Sequence, residues 1–138
     1  MKKEFGFVLF DNINEFEKYL NNENVTRKIS RLQVHHMSLP NYHTWDTTDK
    51  RIYKNNRELG RTKALDDFGK NKWCYKDCNN HYIAQHFNIF PNGKITTGRS
   101  LNSKPIGITG WNDYAICVEI YGDFDKDIMT SSQRESVI

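Results

Sequence analysis

The sequence predicts an α/β domain, on three observations. Short apolar runs over 5–10, 31–37, 82–90, 94–98 and 114–121 have the length of strands. Polar stretches with helical spacing or helix caps lie between and after them. The chain has 138 residues, of which 37% are hydrophobic and 13% aromatic, enough for one domain with its own core.

The elements follow in order. Lys2 and Lys3 precede an apolar run, Phe5 to Phe10, that Asp11 ends. A secretory apolar region needs ~7–15 residues and a small-residue cleavage site. The run is therefore expected to be a buried strand, and the protein to be made in the cytoplasm without a signal peptide. Asn12 with Glu15 three residues later has the layout of a capping box. Ile13, Phe16 and Leu20 then recur at helical spacing, which predicts an amphipathic helix over 13–21. Residues 31–37 read as a strand. Residues 38–81 are polar with scattered aromatics, too long for one loop, so part is expected to be helical, over 61–69. Residues 82–90 read as the next strand. Pro91-Asn92-Gly93 is a turn, and 94–98 the returning strand. Residues 102–112 are a loop. Residues 114–121 form a strand apolar enough to be central in a sheet. Thr130 with Gln133 caps a last helix. A cap so near residue 138 suggests a shortened form of a longer domain.

Composition excludes several classes. No apolar run approaches the ~20 residues of a membrane-spanning helix. No period of 20–50 residues marks a repeat array. The net charge of +3 is too mild to single out nucleic acid. Three cysteines, Cys74, Cys78 and Cys117, are too few for a disulfide scaffold, and reduced thiols are expected.

Four groups of residues can carry chemistry. His35 and His36 end a strand, so their imidazoles face opposite ways. Either is a possible zinc ligand, and ordinary packing remains the alternative. Glu119 lies inside the apolar stretch Ala115–Tyr121. A buried carboxylate there is a candidate general base, and an edge strand with Glu119 in water is the alternative. Cys74, Cys78 and His81 offer three zinc donors in eight residues without the usual spacing, and free thiols in a polar loop are the stronger reading. Gln85 and His86 lie on opposite faces of a strand, and Arg99 follows the turn. His86 reads more readily as a hydrogen-bonded structural residue than as a ligand. Arg99 can bind an acidic group or merely be exposed.

The order of these pieces carries a resemblance. His35-His36 at a strand end is followed by Gln-His-Phe-Asn-Ile-Phe-Pro-Asn-Gly-Lys-Ile-Thr-Thr-Gly-Arg (85–99). Then come Gly-Trp-Asn (110–112), Ile-Cys-Val-Glu-Ile-Tyr-Gly-Asp-Phe-Asp (116–125) and Met-Thr-x-x-Gln (129–133). This resembles the zinc-dependent N-acetylmuramoyl-L-alanine amidases, the family of phage endolysins, bacterial autolysins and peptidoglycan recognition proteins. The clostridial and phage-type branch is the nearest in pattern. The resemblance spans nearly the whole chain, is specific over 83–133 and poor over 38–81.

The resemblance implies a central mixed β-sheet flanked by helices, a peptidoglycan cleft and one Zn2+. It divides the chain into an N-terminal strand-helix extension, 1–30, and an amidase-like domain, 31–138, incomplete at its C-terminus. His35 corresponds to the first zinc ligand and Glu119 to the catalytic carboxylate. Gln85 stands where some members have a catalytic Tyr. His36, Gln85, His86, Arg99 and Asn112 are the residues expected at the substrate. The chain departs from the pattern at Met37, where a Thr is usual, and at Gly107, where a His is common. The family's second His and its Cys or Asp ligand come after the segment that begins at Thr130, so the zinc site is expected to be incomplete, unless His36, His86 or a loop Cys substitutes. The implied reaction is zinc-assisted hydrolysis of the bond between N-acetylmuramic acid and L-alanine, at the bacterial cell wall if the protein is released. Two rival readings stand beside it. One is a muropeptide-binding remnant without hydrolysis. The other is a small basic protein that binds nucleic acid through Cys74, Cys78 and His81.

Overall fold

The computed structural model describes residues 1–138. Six strands form one sheet in the order β1-β2-β5-β4-β6-β3. They are β1 (Lys2–Glu4), β2 (Phe7–Phe10), β3 (Arg31–His36), β4 (Phe87–Ile89), β5 (Ile95–Thr97) and β6 (Ala115–Ile120). The first four neighbours in that order pair antiparallel, whereas β4 with β6 and β6 with β3 are parallel. The sheet is mixed, as expected, and helices lie on both of its faces.

The N-terminal run differs from its reading as one strand. Phe5 and Gly6 both take positive φ, 57° and 81°, and turn the chain between β1 and β2. Two such residues in a two-residue loop make the turn whose twist suits a hairpin. Gly6 fits because a Cβ there would stand 2.8 Å from His81 Nε2. Phe5 is an unusual residue for that conformation, so the turn has no signature in sequence.

Helix α1 (Ile13–Asn22) starts where its cap predicts: Asn12 accepts from the Glu15 amide. Glu15 reaches back to the Asp11 amide, one residue before the cap. Phe16 then stands edge-on to Phe10 and Phe87 over the apolar face of the sheet.

The irregular middle is more helical than its pattern suggests. Helix α2 (Tyr42–Thr44), a π-helical stretch (Trp45–Asp49) and α3 (Lys50–Ile52) run on without a break. Trp45 and Asp49 both turn inward. Trp45 packs with Phe90 and Tyr121, and Asp49 accepts from the Tyr121 hydroxyl and pairs with Arg61. Helix α4 (Arg57–Lys72) is longer than the expected 61–69, because Asn56 caps it further upstream by accepting from the Leu59 amide. Leu59 packs on Phe7, Leu9 and Ile83, so α4 covers the β2 end of the other face.

The expected strand 82–90 shrinks to Phe87–Ile89. The Tyr82 and Ile83 amides donate to the Asp66 carboxylate rather than to a strand. The last helix, α5 (Ser131–Val137), is capped by Thr130, which accepts from the Gln133 amide. Gln133 is fully buried and donates to the Ile89 and Tyr121 carbonyls, which closes the ends of β4 and β6.

Candidate functional site

Strand alternation separates the two histidines. His35 pairs in register with Glu119, and Glu119 with Asn88 across its other edge. Asn88 in turn pairs with Thr96. One polar row therefore crosses the sheet from His35 through Glu119 and Asn88 to Thr96. The row ends under α4, where Thr96 shares a buried hydrogen bond of 2.8 Å with Thr62. Asn88 donates to Thr96 and accepts from Gln85. That half of the row is buried and saturated.

The other half is open. β3 is the sheet edge, and α4 reaches only to Thr96. Glu119 makes no ion pair, and burial alone pushes its pKa up from 4.5 to about 7. A carboxylate so placed exchanges a proton near neutral pH. His35 lies beside it, half-buried, and its Nε2 is buried without a hydrogen-bond partner. Cys117, on the same face, is buried and pushed up to about 12 by desolvation, so it is a neutral thiol that packs.

Two loops border this open half. Tyr121 leads from the end of β6 to Asp49 and the helical segment 42–52. At the other end, Gln33 donates to the Trp111 carbonyl at 2.9 Å. Asn112 accepts from the Gly107 and Ile108 amides and holds the 107–112 loop in shape. Gly107 leaves room for Gln33: a Cβ at 107 would stand 1.9 Å from Gln33 Oε1. Trp111 remains exposed, with the Arg31 guanidinium 4.8 Å over its ring.

His35 and Glu119 thus come together, whereas the other expected residues do not join them. His36 faces the opposite side of the sheet, where its Nδ1 accepts from the Phe124 amide. His86 is completely buried. Its Nδ1 accepts from the Cys117 amide at 3.0 Å, and Nε2 meets the Ser103 carbonyl at 2.8 Å. That tautomer is neutral, and desolvation pushes the pKa down to about 4 although the Ser103 bond acts to raise it. Arg99 is buried too, donating to the Lys104, Tyr75 and Ile83 carbonyls. Gln85 serves Asn88. These three are internal braces, and Asn112 is a loop brace. Asn88, Thr96 and Gln33 did not stand out in sequence. The signal for Asn88 was the same as for Glu119, a polar residue alternating into an apolar strand.

A zinc ion, which the resemblance implies, needs three or four protein donors in one place. His35 and Glu119 bring one imidazole and one carboxylate, and no group of three His, Cys, Asp or Glu lies close enough to hold a metal. Cys74 and Cys78 do not supply the rest, since Cys74 donates to the Lys70 carbonyl and Cys78 to Ser100. His81 stacks on Phe7 instead. The donors present do not fit a zinc ion by themselves.

Comparison with known proteins agrees with the fold. The family model for N-acetylmuramoyl-L-alanine amidase matches residues 25–138. No curated protein matches. Among solved structures, N-acetylmuramoyl-L-alanine amidase LysC from Clostridium intestinale URNW superposes with a TM-score of 0.54 at 22% identity, over 80% of this chain and 58% of LysC. Drosophila PGRP-LB superposes with a TM-score of 0.61 at 19% identity, over 83% of this chain and 59% of its own. Both likenesses establish the fold, and this chain spans less than two-thirds of either protein.

Proposed function

The chain belongs to the N-acetylmuramoyl-L-alanine amidase family, and from that membership we propose that it acts on peptidoglycan, at the amide bond between N-acetylmuramic acid and L-alanine. The observation that carries this reading is the pair His35 and Glu119, side by side on the open half of the sheet. Glu119 is the proton carrier. Above pH about 7 it is ionised and can take a proton from an attacking water. Protonated, it can return that proton to the departing L-alanine amine. Desolvation holds its pKa close to working pH, where both transfers are efficient. Trp111, at the border of this open half, offers an exposed ring for a sugar face. No step is assigned to a metal, because the chain brings only two donors.

That shortage supports a second reading, in which this face of the sheet holds muropeptide without cleaving it. One experiment separates the two. Purified cell wall is incubated with the protein, with and without added zinc, and new L-alanine amino termini are counted beside a muropeptide binding isotherm. Release that rises with pH through about 7 and disappears in Glu119→Gln supports hydrolysis. Binding without release supports the second reading, and neither binding nor release overturns both.

A further inference from the structure

The end of α4 and the loop after it carry cations that no carboxylate nearby offsets. Lys70, Lys72 and Lys76 are exposed. The neighbouring carboxylates are occupied. Asp67 pairs with Lys63. Asp66 accepts from the Tyr82 and Ile83 amides. Asp77 is buried and accepts from the Asn79, His81 and Ser100 amides. The helix dipole accounts for Lys70 and Lys72, in the last turn of α4, but Lys76 lies beyond it.

This surface is fixed from inside. Arg99 donates to the Tyr75 carbonyl at 2.9 Å, and the Trp73 indole N–H donates to the Tyr82 carbonyl at 2.7 Å. The lysines settle over rings: Lys72 Nζ is 5.3 Å from the Phe68 centroid and Lys70 Nζ 5.9 Å from that of Tyr82. Trp73 stands edge-on to Phe68. Cations held in place before a ligand arrives lose less entropy on binding.

The rings decide the partner. Lysine is a point charge that suits phosphate. Single-stranded nucleic acid needs successive open rings for its bases. Here Lys70, Lys72 and Trp73 already lie against Tyr82 and Phe68, which leaves Tyr75, 68% exposed, as the open ring. A membrane surface takes up apolar side chains to a depth of ~5–10 Å, and residues 68–82 contain no aliphatic side chain.

We propose that the surface over 68–82 binds a phosphodiester-linked polyol chain, an anionic polymer without bases, of the kind anchored in bacterial cell walls. The peptidoglycan reading supplies the place where the two meet. The polymer tethers the protein to the wall without occupying His35 or Glu119.

Binding is measured to polyglycerol phosphate in solution, and to purified walls before and after hydrofluoric acid removes their phosphodiester polymers. The expected result is binding to polyglycerol phosphate that weakens as salt rises. Intact walls are expected to bind about tenfold more tightly than stripped ones, and Lys70→Gln, Lys72→Gln and Lys76→Gln together to abolish that difference. Lys2→Gln, Lys3→Gln and Lys18→Gln together remove the same charge elsewhere and are expected to leave it unchanged. Equal losses in the two triple variants would reduce the effect to net charge and overturn the proposal. No binding to polyglycerol phosphate, or tighter binding to a single-stranded oligonucleotide or to anionic lipid vesicles, overturns it as well. Stripped walls test the peptidoglycan reading by itself, so the two can fail separately.

Discussion

His35 lies in the edge strand of the sheet and His86 directly before β4, and they could hardly differ more. His86 is fully buried between Cys117 of β6 and Ser103, and both of its ring nitrogens are engaged. His35 sits on the edge strand, and its buried Nε2 has no partner. The same division runs through the neighbours. Arg99, Gln85 and Asn88 spend their polar groups on the protein. Glu119 is desolvated and unpaired. Residue type therefore does not separate these two histidines, but hydrogen-bond satisfaction does. A buried polar group whose bonds are complete stabilises the fold, and one whose bonds are incomplete costs stability that only a ligand or a proton recovers.

The sharpest test of this contrast is truncation of each histidine. His86→Ala leaves a cavity and strands the Cys117 amide and the Ser103 carbonyl. The expected loss is about 3 kcal/mol or more in urea unfolding. His35→Ala is expected to cost less than about 1 kcal/mol, because no hydrogen bond is broken. Equal losses would erase the distinction between brace and site.

Acid unfolding gives the next largest effect. The pKa of His86 is depressed from 6.5 to about 4 in the folded state. The unfolded chain thus takes up the proton first. Stability that is present above pH 6.5 is lost as the pH falls from there toward 4, by on the order of 2–3 kcal/mol. Thermal unfolding at pH 7.5 and pH 4.5 checks this. An unchanged midpoint would mean that His86 is not sealed.

Glu119 works in the opposite direction. Its folded pKa, about 7, lies above its ordinary 4.5, so the folded state keeps its proton longer. Its stability contribution is greatest below pH 4.5 and is lost as the pH rises through 7. Glu119→Gln is therefore expected to gain about 1–2 kcal/mol at pH 8 and almost nothing at pH 4. A gain of the same size at both values would put the cause in packing rather than in charge. Smallest of all, Leu32→Lys is expected to change stability by less than about 0.5 kcal/mol in urea unfolding, because its side chain already faces water.

Much of the fold was legible because single residues announce it. Asn12, Thr130 and the apolar run of β6 each act locally, through a cap bond or a strand period. The misread parts depend on distant partners. The 82–86 segment is not a strand because the Asp66 carboxylate, on α4, takes its amides. Residues 42–52 start from a local capping box, Asn41 with Thr44, and are held by Trp45 and Asp49, which find Tyr121 and Arg61 at a distance in sequence. The same limit holds at the site. Glu119 and His35 stood out as ionisable groups in apolar strands, and their pairing follows from the parallel register of β3 and β6. His86 already read more readily as a structural residue, whereas Arg99 stayed open between an acidic partner and plain exposure, and the fold shows its hydrogen bonds spent on Lys104, Tyr75 and Ile83.

The most direct measurement is a muropeptide titration of the intact chain followed by amide NMR. If muropeptide binds beside His35 and Glu119, shifts concentrate at Gln33, His35, Glu119 and the 107–112 loop, with His86 and Arg99 unmoved. Shifts centred on His86 and Arg99, or no shift anywhere at millimolar muropeptide, would contradict it.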